Sequence, residues 1–294
     1  MKHNKALGQI SFLIKLLTDR DEFVRSRVQE QLIDLGEDAL PFLEIAVRGG
    51  DDDLRIQANA VIQSILPQKL AEKFRQLAQK GLGQDIDLET GMMLIMEFGY
   101  PNSDPEEFRQ KLDELAQNFA DILNPEAEPP EIVAAFTHFL FQQKGFKGNK
   151  DDYQNPDNSF LNKVLDNQTG LPITLSAICV LLAKRLHLPI VGVGMPGHYI
   201  VKYSLPIEPI YFDPFHQGRL LTKKECIQIV EQFGHSFEEH FLSQATQRET
   251  LIRMLNNLIQ VYKKSNETKK AETLTKYIKI LLNPSKDQQS ERIH

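Results

Sequence analysis

Two residues of this chain have the type and setting for acid–base chemistry. His198 follows Gly194-Met195-Pro196-Gly197 and opens the apolar run 199–203, and Asp213 closes the run 210–212. Short runs rich in β-branched and aromatic residues, bounded by Gly and Pro, read as strands. Residues 205–209 make the turn between them, so antiparallel pairing brings the start of one strand beside the end of the next. A histidine and a carboxylate placed there are set for a hydrogen bond, which is the base-and-orienter half of a nucleophile–base–carboxylate triad. The third member would be a thiol or hydroxyl at the N-terminus of a buried helix, where the dipole lowers a thiol's pKa.

The helix to carry it begins after Gly170, with Pro172 in its first turn, and stays apolar almost all round from 173 to 186. That pattern places it at the centre of the fold. Thr174 and Ser176 lie near its start, Ser176 one turn after Pro172, but hydroxyls on helices usually bond back to the helix backbone. Cys179, seven residues beyond Pro172 and so about 10 Å along the axis, sits between Ile178 and Val180 and reads as a core thiol. Upstream, the loop 145–158 is dense in Gly, Asn and Asp. Asn158 or Ser159 is expected to cap a short helix over 160–165. Tyr153, Asn155, Asp157, Asn158 and Asn162 are candidates to line a cleft facing His198. His216, three residues after Asp213, invites a metal reading with His198, but these scattered ligands form no metal-binding motif, and no metal or cofactor is expected. His138, set among Phe136, Phe139 and Phe141, reads as a core or edge side chain.

The remaining composition narrows the class. With 294 residues, 41% hydrophobic and 25% charged, the chain is an ordinary globular sequence of two or three units. A net charge of -6 argues against a nucleic-acid surface. No apolar run reaches the roughly 18 residues that span a bilayer, and the amphipathic N-terminus has no small-residue cleavage site. Two cysteines, Cys179 and Cys226, make neither a disulfide framework nor a zinc spacing. A cytoplasmic protein is expected.

Helical segments flank the central stretch. Leu13, Val24, Arg25, Val28, Leu32 and Leu35 recur thirty residues later as Leu43, Leu54, Arg55, Ala58, Ile62 and Ile65. A fixed period over paired helices is the signature of stacked repeats and resembles short HEAT-type repeats. The charged stretch 68–80 reads as a connecting helix, and further helices are expected over 88–98, 105–123 and 132–141. After Asp213, residues 220–222 open a helix, with Thr222 and Glu225 forming a capping box. Two amphipathic helices over 251–262 and 271–282 have the spacing of one tetratricopeptide-type unit. The residues from Ser285 onward read as a disordered tail.

The order of buried helix, His and Asp resembles the transglutaminase-like, papain-related superfamily. Within it, the chain is most similar to the SirB-like branch, which joins a transglutaminase-like core to a tetratricopeptide-like tail. Asn158-Ser159-Phe160-Leu161-Asn162, Gly170-Leu171-Pro172-Ile173 with Leu175-Ser176, the run from Gly192 to His198, and Asp213-Pro214-Phe215 carry the resemblance. It implies that His198 and Asp213 match the triad histidine and aspartate. It also implies that Pro172, two residues after Gly170, stands at the position of the nucleophile, a replacement the SirB-like branch shares. The implied fold is α+β and mostly helical: a papain/transglutaminase-like core whose small antiparallel sheet packs on a buried central helix, flanked by helical repeats. The domains expected are 1–80 HEAT-like, which rests on the thirty-residue repeat and is not part of this resemblance, then 81–235 transglutaminase-like and 236–294 tetratricopeptide-like. The implied function is a pseudoenzyme that binds a protein or peptide as an adaptor, without cofactor, nucleic acid or membrane. The alternative is a hydrolase or acyl-transfer enzyme that uses His198 and Asp213 with Ser176, Thr174, water or a substrate group. Oligomeric state is left open.

Overall fold

The computed structural model describes residues 2–49 and 51–283, with the side chains of residues 2–8 left aside. The tail expected from Ser285 onward lies outside the described residues. Contacts divide the chain into two units, Met1–Lys73 and Phe74–His294.

The first unit is helical. It contains α1 (Lys2–Lys15), α2 (Glu22–Leu35), α3 (Leu40–Arg48) and the greater part of α4 (Asp52–Lys80). Asp21 caps α2 by accepting from the Phe23 amide, and Gly36 ends it at φ 57°. The positions that recur in the sequence recur in the core: Leu13 and Leu43, and Val28 and Ala58, are buried in one apolar cluster. The charged stretch 68–80 is not a separate connecting helix. It continues α4, which runs through Pro67 without a break.

The second unit is mostly helical with small sheets, an α+β fold. Around its centre lie α5 (Leu88–Gly99), α6 (Pro105–Ala120), α7 (Pro129–Thr137), a two-residue strand β1 (Lys147–Gly148), α8 (Leu161–Asn167) and a two-residue strand β2 (Thr169–Gly170). The centre itself is α9 (Pro172–Arg185), in which every residue from Pro172 to Cys179 is buried. One face of α9 packs against a four-stranded antiparallel sheet in the order β3 (Ile190–Met195), β4 (His198–Tyr203), β5 (Ile210–Asp213), β6 (Arg219–Leu221). Other faces meet α6 and α11, so little of the helix before Lys184 is left for solvent. That is why the helix is apolar all round. The chain closes with α10 (Lys223–Gln232), α11 (Gln247–Lys264) and α12 (Thr268–Leu282), the last two forming a hairpin. Gly91 lets α11 approach α5, since a Cβ there would lie 2.0 Å from Leu251 Cδ1.

Three local expectations are corrected. Residues 219–221 form the edge strand β6, and the helix starts only after Thr222, whose capping box with Glu225 is present. The N-cap of α8 is Phe160, without a side-chain cap. Asn158 and Ser159 belong to the preceding 3₁₀ turn, Pro156–Ser159, because Asn155 starts that turn by accepting from the Asp157 amide. α7 ends at Thr137 and widens into a π-helical segment, His138–Gln143, on which His138 is exposed rather than packed.

Candidate functional site

The sheet register sets the site. Val201 pairs with Phe212 across β4 and β5. Extended by one step, that register puts Asp213 beside Ile200, two residues from His198. Residues two apart on a strand share a face, so the His198 and Asp213 side chains meet diagonally. The distance from His198 Nε2 to Asp213 Oδ2 is 2.7 Å.

Asp213 is fully committed. Its Oδ1 accepts from the backbone amides of Phe215 at 2.9 Å and His216 at 3.3 Å. Its Oδ2 accepts from His198 and also from His216 Nδ1, again at 2.7 Å. A carboxylate only accepts, so both rings donate to it. Burial alone would raise the Asp213 carboxyl; the hydrogen bond and charge of His198, then those of His216, outweigh burial and hold it below its ordinary value.

The turn that presents His198 is held from both sides. Met195 pairs with His198, so Pro196 and Gly197 are the two turn residues. Gly197 has φ 73°, which only glycine takes freely, and a Cβ there would lie 2.1 Å from Phe233 Cγ. From the other side comes Arg253 of α11. Its Nη1 donates to the Met195 carbonyl at 2.8 Å and its Nη2 to the His198 carbonyl at 2.9 Å. Its guanidinium also lies 5.5 Å from the centre of the Tyr199 ring, and burial lowers its pKa. Arg253 was not among the sequence candidates. Nothing around it distinguishes it from a solvated helix arginine, because its partners are more than 50 residues away.

His198 and Asp213 open onto a cleft of about 640 Å³. Pro172 lies on its wall, at the first turn of α9, and Tyr153, Phe215, His216 and Phe233 add rings around it. The two hydroxyls considered as nucleophiles, and the thiols read as core residues, are elsewhere. Ser176 is wholly buried and donates to the Tyr199 carbonyl at 3.4 Å. Thr174 is wholly buried, its hydroxyl without a partner. Burial pushes the Cys179 thiol far up, and that of Cys226 up to about 11. Among the described residues, no hydroxyl or thiol hydrogen-bonds the His198 ring.

Of the loop residues expected to line the cleft, Tyr153 does so, its ring edge-on to Phe215 at 5.9 Å. Asn158 and Asn162 do not. Asn158 is buried and ties the loop to itself, accepting from Asn149 at 2.9 Å and donating to the Asp152 carbonyl at 2.7 Å. Asn162 donates to Ser103 at 3.2 Å. Asp157 accepts from the Tyr100 hydroxyl, whose pKa rises to about 12 through burial and then this bond. Asn155 is spent on its turn. A polar loop has its own backbone to satisfy first.

Comparison with known proteins matches residues 106–256 to a family described as the transglutaminase-like superfamily. A UPF0162 protein of Xylella fastidiosa is 33% identical over 198 residues, covering 64% of this chain and 69% of that protein. A UPF0162 protein of Pseudomonas aeruginosa is 28% identical over 170 residues, 57% of this chain and 62% of the relative. F-box only protein 21 of Mus musculus is 30% identical over 142 residues, 46% of this chain but 22% of the much longer relative. No solved structure matches the chain.

Proposed function

This chain belongs to the transglutaminase-like superfamily, and we propose that it serves as a non-catalytic module binding a protein or peptide segment in the cleft between Pro172 and His198. One observation carries the reading: the helix end that faces the base holds a proline. Acyl transfer by a triad needs a nucleophile within hydrogen-bond reach of the histidine, and Pro172 has no atom to serve. The cleft is nonetheless open and built, with aromatic rings on its walls and a fixed polar pair on its floor. Such a mixture suits a peptide, whose side chains take the rings and whose amides take the polar groups.

Within this reading, the chain is SirB-like. Residues 1–80 form a HEAT-like brace or docking surface, 81–235 the binding core, and 236–294 a tetratricopeptide-like hairpin, with the helical ends acting as adaptors. The F-box relative supports a portable module, because the matched region is a small part of a longer chain. Two buried, unpaired thiols suit a reducing cytoplasm. A second reading, a hydrolase or acyl-transfer enzyme, draws on the same short bond: with Asp213 holding Nε2, the His198 Nδ1 is left to accept a proton from water or a substrate group.

Panning a peptide library against the full chain, treated with EDTA, separates the two. Peptides are expected to be captured intact by the wild type and to bind at least about tenfold more weakly to His198→Ala and Tyr153→Ala variants of native fold. Mass spectra that show captured peptides cleaved or acyl-transferred, in a His198-dependent way, would make the protein an enzyme. Capture indifferent to both substitutions would remove the cleft from the function.

A further inference from the structure

Orienting a histidine base takes one imidazole on one carboxylate oxygen. Here two imidazoles converge on the same oxygen. His198 Nε2 and His216 Nδ1 each lie 2.7 Å from Asp213 Oδ2, and the three ligand-type atoms lie within 4.8 Å of one another. His216 has no part in the triad logic, and its ring, 45% exposed, stands at the cleft.

From this convergence we propose that His198, Asp213 and His216 form a binding site for a divalent transition metal, with Zn²⁺ the best-matched ion, open to the cleft. Two imidazoles and one carboxylate make a three-ligand set of the kind that leaves positions free for water or a bound group. Little movement is needed. Ligands at about 2.1 Å from a tetrahedral ion stand about 3.4 Å apart, so each ring nitrogen draws back from Oδ2 by less than about 1 Å while the two nitrogens, now within 4.8 Å, close on each other. The half-exposed His216 ring has room to do this.

The surroundings favour the site. The carboxylate is aimed by its other oxygen, which accepts from the Phe215 and His216 amides. Outer contacts of that kind fix the orientation of metal ligands. The three residues come from two paired strands and the tight turn that follows, so the set is largely preformed. On binding, each ring gives its lone pair and carries its proton on the opposite nitrogen, Nδ1 of His198 and Nε2 of His216. Binding therefore weakens in acid, because a protonated ring has no lone pair to give. A bound ion would present its open positions to the cleft, where a carbonyl or carboxylate oxygen of a ligand could occupy them. The site does not depend on the peptide-binding reading.

Tag-free full-length protein titrated with Zn²⁺ by calorimetry, and with Co²⁺ by visible absorption, tests the proposal. One ion per chain is expected, with Co²⁺ bands of a low-coordinate nitrogen–oxygen site. His216→Ala, on an exposed ring that leaves the His198–Asp213 bond in place, should weaken binding at least about tenfold. His198→Gln should do the same. His240→Ala, an exposed histidine beside Glu238, should change nothing. No saturable binding to the wild type would overturn the site, as would binding indifferent to both His216→Ala and His198→Gln. Peptide capture is measured in EDTA, so failure of the metal site leaves that result standing.

Discussion

The cleft wall and the interior behind it are built from the same helix and carry opposite inventories. At the cleft, the start of α9 offers Pro172 to a finished His198–Asp213 pair, so there is a base and no nucleophile. In the interior, Thr174, Ser176 and Cys179 supply hydroxyls and a thiol, all sealed from water and from the base. Four residues, about 6 Å of helix rise, separate Pro172 from Ser176. Ser176 even bonds to the strand that carries His198, through the Tyr199 carbonyl. Residues four apart share a helix face, so chemistry is decided here by depth along the axis, with Pro172 at the cleft and Ser176 one turn further in. The cleft side is costly to build and has to be held open by hydrogen bonds. The interior side is held mainly by packing, with the long Ser176–Tyr199 hydrogen bond added to it.

The largest effect on this contrast is expected at Asp213. Replacing it with alanine strands four N–H donors that now converge on one buried carboxylate. Removing one partner from such a buried charged cluster costs about 3–5 kcal/mol, readable as a lowered urea midpoint. Replacing Ser176 with alanine, on the interior side, should cost about 1 kcal/mol or less for its single long hydrogen bond. Acid gives the same information by linkage. The Asp213 carboxyl titrates below its unfolded value in the folded protein. Its stabilisation is therefore complete above the unfolded value, about pH 4, and is lost as pH falls through the lower folded value. Asp213→Asn should flatten that acid limb. Equal costs at Asp213 and Ser176, or an unchanged acid limb, would erase the distinction between the two sides.

Comparable in size is Arg253, which fastens the His198 turn from behind. Arg253→Met keeps much of the apolar stem and removes two hydrogen bonds from a charged donor, each worth about 1.5–3 kcal/mol. Loss of stability with disordered amide signals over residues 195–198 is expected, partly restored by Arg253→Lys. A methionine variant with wild-type stability and unchanged signals would show that β3 and β4 hold the turn unaided.

Arg253 also marks how far the sequence could be read. The meeting of His198 and Asp213 was legible because it follows from strand alternation and one short turn. The central place of α9 was legible because no other location tolerates a helix apolar on every face. The contact of Arg253 with Met195 and His198 was not, since it spans more than 50 residues and leaves no local pattern. β6 was misread because residues 219–221 are a short edge strand with two exposed positions, running straight into a capping box. Asn158 and Asn162 were misplaced for a different reason. An asparagine that ties a loop to itself looks, in sequence, like one that faces a ligand, and only the donors around it tell them apart. The second imidazole on Asp213 was visible as a residue but not as a contact, because its position depends on the 3₁₀ turn Pro214–His216.

The smallest change in stability should accompany the sharpest test. Pro172→Cys alters the first turn of α9, where the missing amide of proline costs nothing and its gain costs little, so stability should shift by less than about 1 kcal/mol. The introduced thiol would stand at a helix N-terminus on the wall shared with His198, a setting that lowers a thiol's pKa. In the folded protein at neutral pH it should react with a thiol reagent within minutes. Cys179, pushed far up by burial, and Cys226, raised to about 11 by the same cause, should stay silent until the chain unfolds. A Pro172→Cys variant that stays silent while folded would mean that the first turn of α9 does not face the base, and a wild-type protein that reacts while folded would mean that the interior is not sealed. If the introduced thiol is reactive and the variant also hydrolyses an activated ester with the pH dependence of an imidazole base, then the proline alone separates this cleft from a working one. A reactive thiol without turnover would place the deficit in what stabilises the tetrahedral oxyanion, since the remaining two members of the triad are already in contact.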